Sequence, residues 1–179
     1  MKIVITGAQS TGKSTLLDRI KRSSLRDSKL VGFEFIDELT RQLKDSGVVI
    51  NEQGGNLTQL LTNTTHIQNI VKPKFISDRC ILDSMVYTSW LYSEKKIDHW
   101  VYNFAKNSFK MLIDQYDYIF YLKPEFDLVD DGVRSSDVEF RNKISDLFEY
   151  YIDNYLVDVH TLTGTVEQRF KQFKDVIWK

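Results

Sequence analysis

The eight residues from Gly7 to Ser14, GAQSTGKS, have the types and spacing of a phosphate-binding loop. They fit the pattern G-x-x-x-x-G-K followed by Ser or Thr, in which backbone N–H groups converge on phosphate oxygens. The helix after such a loop adds the positive end of its dipole. The apolar run Ile3–Thr6 and the helical pattern Ser14–Arg22 flank the loop as this mechanism requires. The sequence therefore predicts an anion-binding turn between a strand and a helix.

The side chains of this loop have distinct predicted roles at a nucleoside triphosphate. We expect Lys13 to reach the β- and γ-phosphates and the Ser14 hydroxyl to ligate Mg²⁺. Thr15 is expected at the α-phosphate. The rest of the predicted donor contacts come from the loop itself, at Gly7, Ser10, Thr11 and Gly12.

Carboxylates follow two other predicted strands and are candidates for the acceptor side of the reaction. Ligands of an open parallel sheet bind beyond the carboxyl ends of its strands. Transfer of a phosphoryl group to a hydroxyl needs a carboxylate that accepts or orients the hydroxyl proton. Asp78 is predicted as a Mg²⁺ ligand or as the general base, and Asp37 and Glu38 are competing bases. Either of the latter two also suits an ordinary helix N-cap.

Four arginines lie at or after the same strand ends and would neutralise charge on the moving phosphoryl group. Arg79 and Arg134 are expected to face the phosphates, whereas Arg41 and Arg141 fit either the site or an ordinary exposed surface. Gly132 lies among charged residues beside Arg134. We expect a lid there that closes over the donor and excludes water, with a static surface loop as the alternative.

Other uses of a phosphate-binding loop fit the sequence less well. A regulatory GTPase needs D-x-x-G after its third strand, but Asp78 is followed by Arg79, Cys80 and Ile81. Its guanine-reading N-K-x-D is also missing, because the Asn-Lys pair at 142–143 is followed by Ile-Ser. The three histidines are dispersed and predict no metal site or catalytic triad. A small kinase therefore fits best.

Composition predicts one soluble domain that spans 1–179. Hydrophobic residues make up 42% of the 179 residues, which is enough for one full core. A formal charge of -1 disfavours a nucleic-acid partner, although a local basic groove stays open. Cys80 alone cannot form an internal disulfide, and we expect it in the core. No apolar stretch approaches the roughly 18 residues of a membrane span, so a cytoplasmic protein without membrane contact is expected.

Periodicity predicts an α/β fold with a parallel sheet covered on both faces. Short apolar runs alternate with segments long enough for helices. The runs are Ile3–Thr6, Gly32–Ile36, Phe75–Ser77, Tyr118–Leu122 and Leu156–Leu162. Helical spacing predicts core packing for Ile97, Trp100, Val101 and Phe104, and also for Ile144, Leu147, Phe148, Tyr151 and Tyr155.

The stretch Asn51–Asn69 is rich in Asn, Gln and Thr around a Gly-Gly pair. This composition predicts an exposed loop that enters a helix with a polar face. The polar face fits either a solvated surface or a wall of the substrate pocket.

Several strings together resemble a family of P-loop kinases over nearly the whole chain. The similarity is to the ribosylnicotinamide-kinase domain of bacterial NAD-biosynthesis regulators and to its AAA-like relatives. The strings are the loop Gly7–Ser14, IDELTRQL at Ile36–Leu43, FISDRCILDSMVY at Phe75–Tyr87, YIFYLKPE at Tyr118–Glu125 and VDDGVRSSDVEFR at Val129–Arg141. The resemblance implies a three-layer P-loop fold with five parallel strands in the order 2-3-1-4-5, and a lid at Asp130–Ser135.

The resemblance also implies roles for single residues. Glu38 and Arg41 match the Glu-x-x-Arg of the family, and Asp78 matches its strand-end carboxylate. The tail Thr161–Phe170, with Thr163 and Gly164, is similar to the loop beside adenine in such kinases, which implies ATP as donor. A looser similarity to thymidylate kinases would place Arg79 on the phosphate of an acceptor monophosphate.

The sequence leaves three functions open. The leading one is ATP-dependent phosphorylation of a small nucleoside or nucleoside monophosphate. The second is a kinase for a hydroxyl in a polynucleotide, and the third is an ATP-binding module without transfer. The acceptor, the choice of base and the oligomeric state are not predicted.

Overall fold

The computed structural model describes residues 1–37, 39–125, 137–156 and 158–178. In these ranges the strands pair side by side in one sheet, and every pairing is parallel. The order is β2-β3-β1-β4-β5, as predicted. The strands are β1 (Lys2–Thr6), β2 (Glu34–Ile36), β3 (Phe75–Asp78), β4 (Tyr118–Leu122) and β5 (Val159–Leu162).

Helices connect successive strands and cover both faces of the sheet. Within the described residues they are α1 (Lys13–Ser24), α2 (Leu39–Asp45), α3 (Asn56–Ile70), α4 (Ile81–Ser93), α5 (His99–Leu112), α6 (Val138–Tyr155) and α7 (Val166–Ile177). None of these helices combines the length and the apolar composition needed to cross a membrane.

The central strand β1 explains why the core has two halves. Successive side chains of a strand point to opposite faces. Ile3 and Ile5 pack with α1 and α7, whereas Val4 packs on the other face with α4, α5 and α6. All three side chains are fully buried. The predicted three-layer α/β fold is therefore confirmed.

The exposed positions of α5 show where helical spacing misled the prediction. Val101 and Ala105 are buried, but Trp100 is 56% exposed and Phe104 is 36% exposed. Val101 and Ala105 form one i, i+4 pair, and Trp100 and Phe104 form the neighbouring one. Only the first pair faces the protein. The prediction of a core position was wrong for Trp100 and Phe104, and also for Tyr155, which is exposed at the end of α6.

Two predicted element boundaries also differ from the structure. The fifth strand begins at Val159 and not at Leu156, because α6 continues to Tyr155 and Leu156 forms its C-cap. Helix α5 begins at His99 after the N-cap Asp98, so Ile97 is buried outside the helix.

Candidate active site

The loop between β1 and α1 is held tightly against the end of β4. Gly7 has φ of 139°, and a Cβ at this position would lie 2.4 Å from the carbonyl oxygen of Leu122. Gly12 has φ of 88° and is the N-cap of α1, without a side chain that covers the first turn. Its left-handed conformation suits glycine. No N-cap side chain caps the first turn of α1, so the positive end of the helix dipole faces this loop.

Lys13 places its ammonium group inside this loop. The side chain is only 5% exposed, and Nζ donates hydrogen bonds to the carbonyl oxygens of Gly7 at 2.8 Å and Ala8 at 2.7 Å. A buried positive charge in a loop of this kind is placed to attract an anion.

Ser14 and Asp78 meet at the adjacent ends of β1 and β3. The parallel register pairs Ile5 with Asp78, which brings the carboxylate beside the start of α1. The Ser14 hydroxyl donates a 2.7 Å hydrogen bond to Oδ2 of Asp78, and Oδ1 is buried without a hydrogen-bond partner among the described residues.

This pair of oxygen ligands fits Mg²⁺. Mg²⁺ prefers oxygen, and proteins usually bind it through one or two carboxylates while it keeps water and phosphate ligands. In the described part of the chain, no group of three or more His, Cys, Asp or Glu side chains forms a larger metal site. Ser14 and Asp78 therefore suit a Mg²⁺ ion that arrives with a nucleotide.

A cavity of about 250 Å³ opens above the loop, and we call it the donor cavity. It brings together most of the charged residues that the sequence singled out: Lys13, Asp37, Arg41, Asp78 and Arg79. Ser10, Thr11, Gly12 and Ser14 line the same cavity.

Other predicted site residues lie elsewhere or outside the described residues. Thr15 is exposed on α1, and Arg141 is half-buried on α6; neither lines the donor cavity. Glu38 and the segment 126–136, with Arg134 and the predicted lid, lie outside the described residues. Their roles stay predictions.

Arg79 occupies the turn that leads from β3 into α4. Its φ of 79° is unusual for a residue other than glycine, and strain of this kind often accompanies a functional role. The backbone N–H donates to the Ile5 carbonyl oxygen at 2.9 Å, and the guanidinium lies 5.3 Å from the centre of the Tyr87 ring. Burial alone would lower the pKa of Arg79, but Tyr87, Asp83 and Asp78 oppose it and the net shift is upward. Arg79 therefore keeps its charge.

Asp83 is a buried carboxylate that the sequence analysis missed. Its side chain is 2% exposed and accepts hydrogen bonds from the Thr6 hydroxyl at 2.7 Å and the Cys80 N–H at 2.9 Å. Arg79 donates to its second oxygen at 3.4 Å. Burial raises the pKa of Asp83, against the charges of Arg79 and Lys13. Its place at the third residue of α4, where an acidic side chain can accept a hydrogen bond from the N-cap backbone, was the available signal.

A smaller recess of about 40 Å³ adjoins the donor cavity, and we call it the acceptor recess. Thr40, Asn51 and Arg79 line both spaces. The remaining polar lining carries mostly hydroxyl and amide groups, from Thr58, Gln59, Thr62, Asp83, Ser84 and Tyr87.

The polar face of α3 therefore points into the protein and not into solvent. Thr58 and Gln59 are buried, and Gln59 accepts a 2.9 Å hydrogen bond from Thr88 of α4. The helix begins at Asn56, and a short 3₁₀ turn at Asn51–Gln53 precedes it. Of the two interpretations of this stretch, the pocket wall agrees with the structure.

The loop after β5 contacts the segment that follows β4 and helix α7. Gly164 has φ of 86°, and its N–H donates a 2.8 Å hydrogen bond to Oε2 of Glu125, just after β4. The Thr163 N–H donates to the side-chain oxygen of Gln172 on α7 at 3.2 Å. Neither Thr163 nor Gly164 lines the donor cavity, so their predicted contact with adenine stays a prediction.

A family model described as an AAA domain matches residues 2–169. No curated protein matches the chain in sequence.

Several solved structures share the fold at low sequence identity. Deoxyadenosine kinase from M. mycoides, solved with dCMP and dCDP, has a TM-score of 0.68 at 19% identity, with 99% of this chain and 98% of that chain covered. Thymidylate kinase from Ehrlichia chaffeensis has a TM-score of 0.66 at 17% identity, with 100% and 98% covered. The NadR protein in complex with NR has a TM-score of 0.71 at 18% identity.

The alignment with NadR covers 98% of this chain but only 50% of NadR. The fold therefore confirms the resemblance to P-loop kinases that the sequence strings indicated. Because the family model spans most of the residues, the chain belongs to the AAA domain family, and its fold is that of P-loop nucleoside and nucleotide kinases.

Proposed function

We propose that the chain is an ATP-dependent kinase that transfers the γ-phosphoryl group to a hydroxyl of a small nucleoside. The observation that carries this proposal is the junction between the two cavities. Arg79 lines both the donor cavity, which contains the phosphate-binding loop, and the acceptor recess, which is rich in hydroxyl and amide groups. A cation at such a junction suits a phosphoryl group that moves from one space to the other.

On the donor side, we assign the triphosphate to the loop and Lys13. Ser14 and Asp78 would hold Mg²⁺, which supplies positive charge to the phosphates when it is bound. Asp78 and Asp37 both line the donor cavity and are the described candidates for the base that receives the acceptor proton. Glu38 is a third candidate, by resemblance to the family.

On the acceptor side, the charge of the recess favours a neutral substrate. Arg79 and Asp83 are the charged groups among its described lining residues, and the two form an ion pair. An acceptor monophosphate would add about two negative charges beside Asp83, and the described lining of the recess offers one cation to balance them. A nucleoside needs hydroxyl and amide partners, which the recess offers. With a volume of about 40 Å³, the recess takes one end of the acceptor while the rest extends into the donor cavity.

The remaining donor-side roles rest on resemblance. We propose that Thr163 and Gly164 lie beside the adenine and that Arg134 belongs to a lid over the phosphates. Arg41 lines the donor cavity from α2 and is proposed as a phosphate contact. Arg141, on α6, is proposed to act from the segment that follows the lid.

Incubation with γ-labelled ATP and a panel of acceptors tests the proposal. The panel contains nucleosides, the matching monophosphates and oligonucleotides. We expect label in a nucleoside monophosphate product and little transfer to monophosphates. Preferential labelling of a monophosphate would refute the neutral acceptor. Label in an oligonucleotide, together with single-stranded DNA binding at low salt, would favour a polynucleotide kinase. ATP binding without any labelled product would favour a non-catalytic module.

A further inference from the structure

Arg169 is a fully buried arginine near the start of α7. Its side chain is 1% exposed and lies in the turn that also carries the core residues Phe170 and Phe173. A charged group in such surroundings has lost its hydration, which costs free energy unless close partners replace the water. The sequence analysis gave this residue no role.

The guanidinium of Arg169 connects three separate parts of the chain. NH1 donates a short hydrogen bond to the carbonyl oxygen of Thr11, inside the phosphate-binding loop. NH2 donates to Oε2 of Glu125 at 2.7 Å. The same Oε2 atom accepts the 2.8 Å hydrogen bond from the Gly164 N–H. One side chain thus joins the phosphate loop, the end of the β4 segment and the loop after β5.

The bond to Thr11 constrains the peptide unit that follows it. The carbonyl of Thr11 and the N–H of Gly12 belong to one planar trans peptide, so they point in opposite directions. Thr11 and Gly12 line the donor cavity, whereas Arg169 does not. Because Arg169 holds the carbonyl from outside the cavity, the Gly12 N–H is directed to the opposite side, towards the space for the phosphates.

Stability alone is a poor reason for this arrangement. A buried ion pair contributes little net stability, and apolar residues of similar volume often replace one without loss. Phe170 and Phe173, on the same part of α7, belong to the apolar core that such a replacement would extend. The guanidinium instead contacts the phosphate-binding loop directly at Thr11 and reaches the loop of Gly164 through Glu125.

We propose that Arg169 is a positioning residue for the nucleotide donor, which orients the Thr11–Gly12 peptide and, through Glu125, holds the loop of Gly164 at a fixed distance from it. The proposal rests on the proposed function only in that a nucleoside triphosphate binds the loop. Loss of Arg169 should therefore weaken the donor and leave the acceptor recess unchanged.

The test compares wild-type protein with Arg169→Met and Arg169→Lys. Met keeps most of the side-chain volume but loses every hydrogen bond. Lys keeps the positive charge, but its single ammonium group lacks the planar guanidinium that donates to Thr11 and Glu125 at the same time. Direct titration with ADP and with ATP should show about tenfold weaker binding in both variants, the factor that about 1.4 kcal/mol represents. KM for the acceptor should stay within about twofold, a change under 0.5 kcal/mol.

A matched control separates positioning from packing. Arg19 of α1 also pairs with a carboxylate of α7, because its Nε donates to Glu167 at 2.7 Å. Arg19→Gln breaks this exposed link between the helices without contact to the loops, and ADP affinity should remain at the wild-type value. A second readout is the amide NMR signal of Gly12, whose shift on addition of ADP should shrink in Arg169→Met and persist in Arg19→Gln.

The outcomes distinguish the two proposals. If Arg169→Met folds and binds nucleotide as tightly as the wild-type protein, and only its melting temperature is lower, then Arg169 has a structural role alone. Weaker ADP binding in Arg169→Met would support the positioning role. If the wild-type protein at the same time binds ATP but phosphorylates no acceptor, the proposed kinase activity is refuted while the positioning role stands. Wild-type protein that binds neither nucleotide would overturn both.

Discussion

The Ser14 hydroxyl donates a 2.7 Å hydrogen bond to one oxygen of Asp78 while the other oxygen of that carboxylate is buried without a described partner. This relationship joins the helix after the phosphate loop to the end of the neighbouring strand. A buried oxygen that lacks a hydrogen bond is costly in a folded protein and calls for a ligand. Asp78 is therefore the residue whose replacement best separates catalysis from nucleotide binding.

Asp78→Asn should reduce turnover much more than ATP binding. The variant keeps the shape and can still accept a hydrogen bond from Ser14, but it loses the negative charge that a metal or a hydroxyl proton requires. We expect kcat to fall about 100-fold or more and the Kd of ATP to change by less than about fivefold. Steady-state kinetics and direct titration measure the two quantities. Asp146→Asn, on an exposed part of α6, is the control, and equal losses in both quantities would contradict the role.

Lys13→Ala should abolish most activity. Nζ donates hydrogen bonds to the carbonyl oxygens of Gly7 and Ala8, which places a buried cation inside the loop that is predicted to bind the phosphates. Its loss removes charge that stabilises the moving phosphoryl group, so we expect kcat/KM for ATP to fall by about 100-fold or more. Arg22→Ala, which removes an exposed cation from the same helix, should keep wild-type kinetics. Activity above a tenth of wild type in Lys13→Ala would contradict the assignment.

The fold was predictable because its signals are local. Each predicted run overlaps one strand of the sheet, and the loop at Gly7–Ser14 has a backbone mechanism that depends on sequence spacing alone. The strand order followed from family resemblance. The exposed Trp100 shows the limit, since periodicity identifies neighbouring faces of a helix but does not decide which one packs against the protein.

The site was predictable only where residues follow strand ends. Asp78 ends β3 and Arg79 follows it, and both were found, whereas Asp83 and Arg169 lie inside helices and were missed. Their roles arise from contacts with Thr6 and Thr11, which are 77 and 158 residues away in the chain. Such contacts depend on how helices pack on the sheet. A single charged residue in an apolar helical face, as at Arg169, is the signal that deserved a hypothesis.

Gly7→Ala should destabilise the protein strongly. An added Cβ would lie 2.4 Å from the Leu122 carbonyl oxygen, and the φ of 139° is unfavourable for alanine. We expect the free energy of unfolding to drop by about 3 kcal/mol, typical of a severe backbone conflict. Urea denaturation measures the change. Gly55→Ala is a matched control because nothing lies within 4 Å of its added Cβ and its φ is negative, so a similar loss there would refute the steric explanation.

His66 should make the stability of the protein sensitive to mild acid. The side chain is 3% exposed on α3, its Nε2 has no hydrogen-bond partner among the described residues, and burial with the nearby charge of Arg79 lowers its pKa to about 3. Since the ordinary value is 6.5, the unfolded chain binds a proton below that pH while the folded protein does not. The contribution of His66 to the free energy of unfolding is therefore fully present above pH 6.5. It decreases as the pH falls towards 3, by about 1.4 kcal/mol per pH unit at most.

The change in the free energy of unfolding between pH 6.5 and pH 5 isolates this effect, because this pH range lies above the one in which most carboxylates take up protons. Urea denaturation at several pH values should show stability falling with acid in the wild-type protein, and a nearly flat profile in His66→Gln, whose amide does not titrate. The variant is expected to differ in absolute stability, so the slope and not the value at pH 7 is the test. His160→Gln, at a half-buried position on β5, is the control and should keep the wild-type slope. A slope that persists in His66→Gln would show that another group binds the proton, and it would remove His66 as the reason for acid sensitivity.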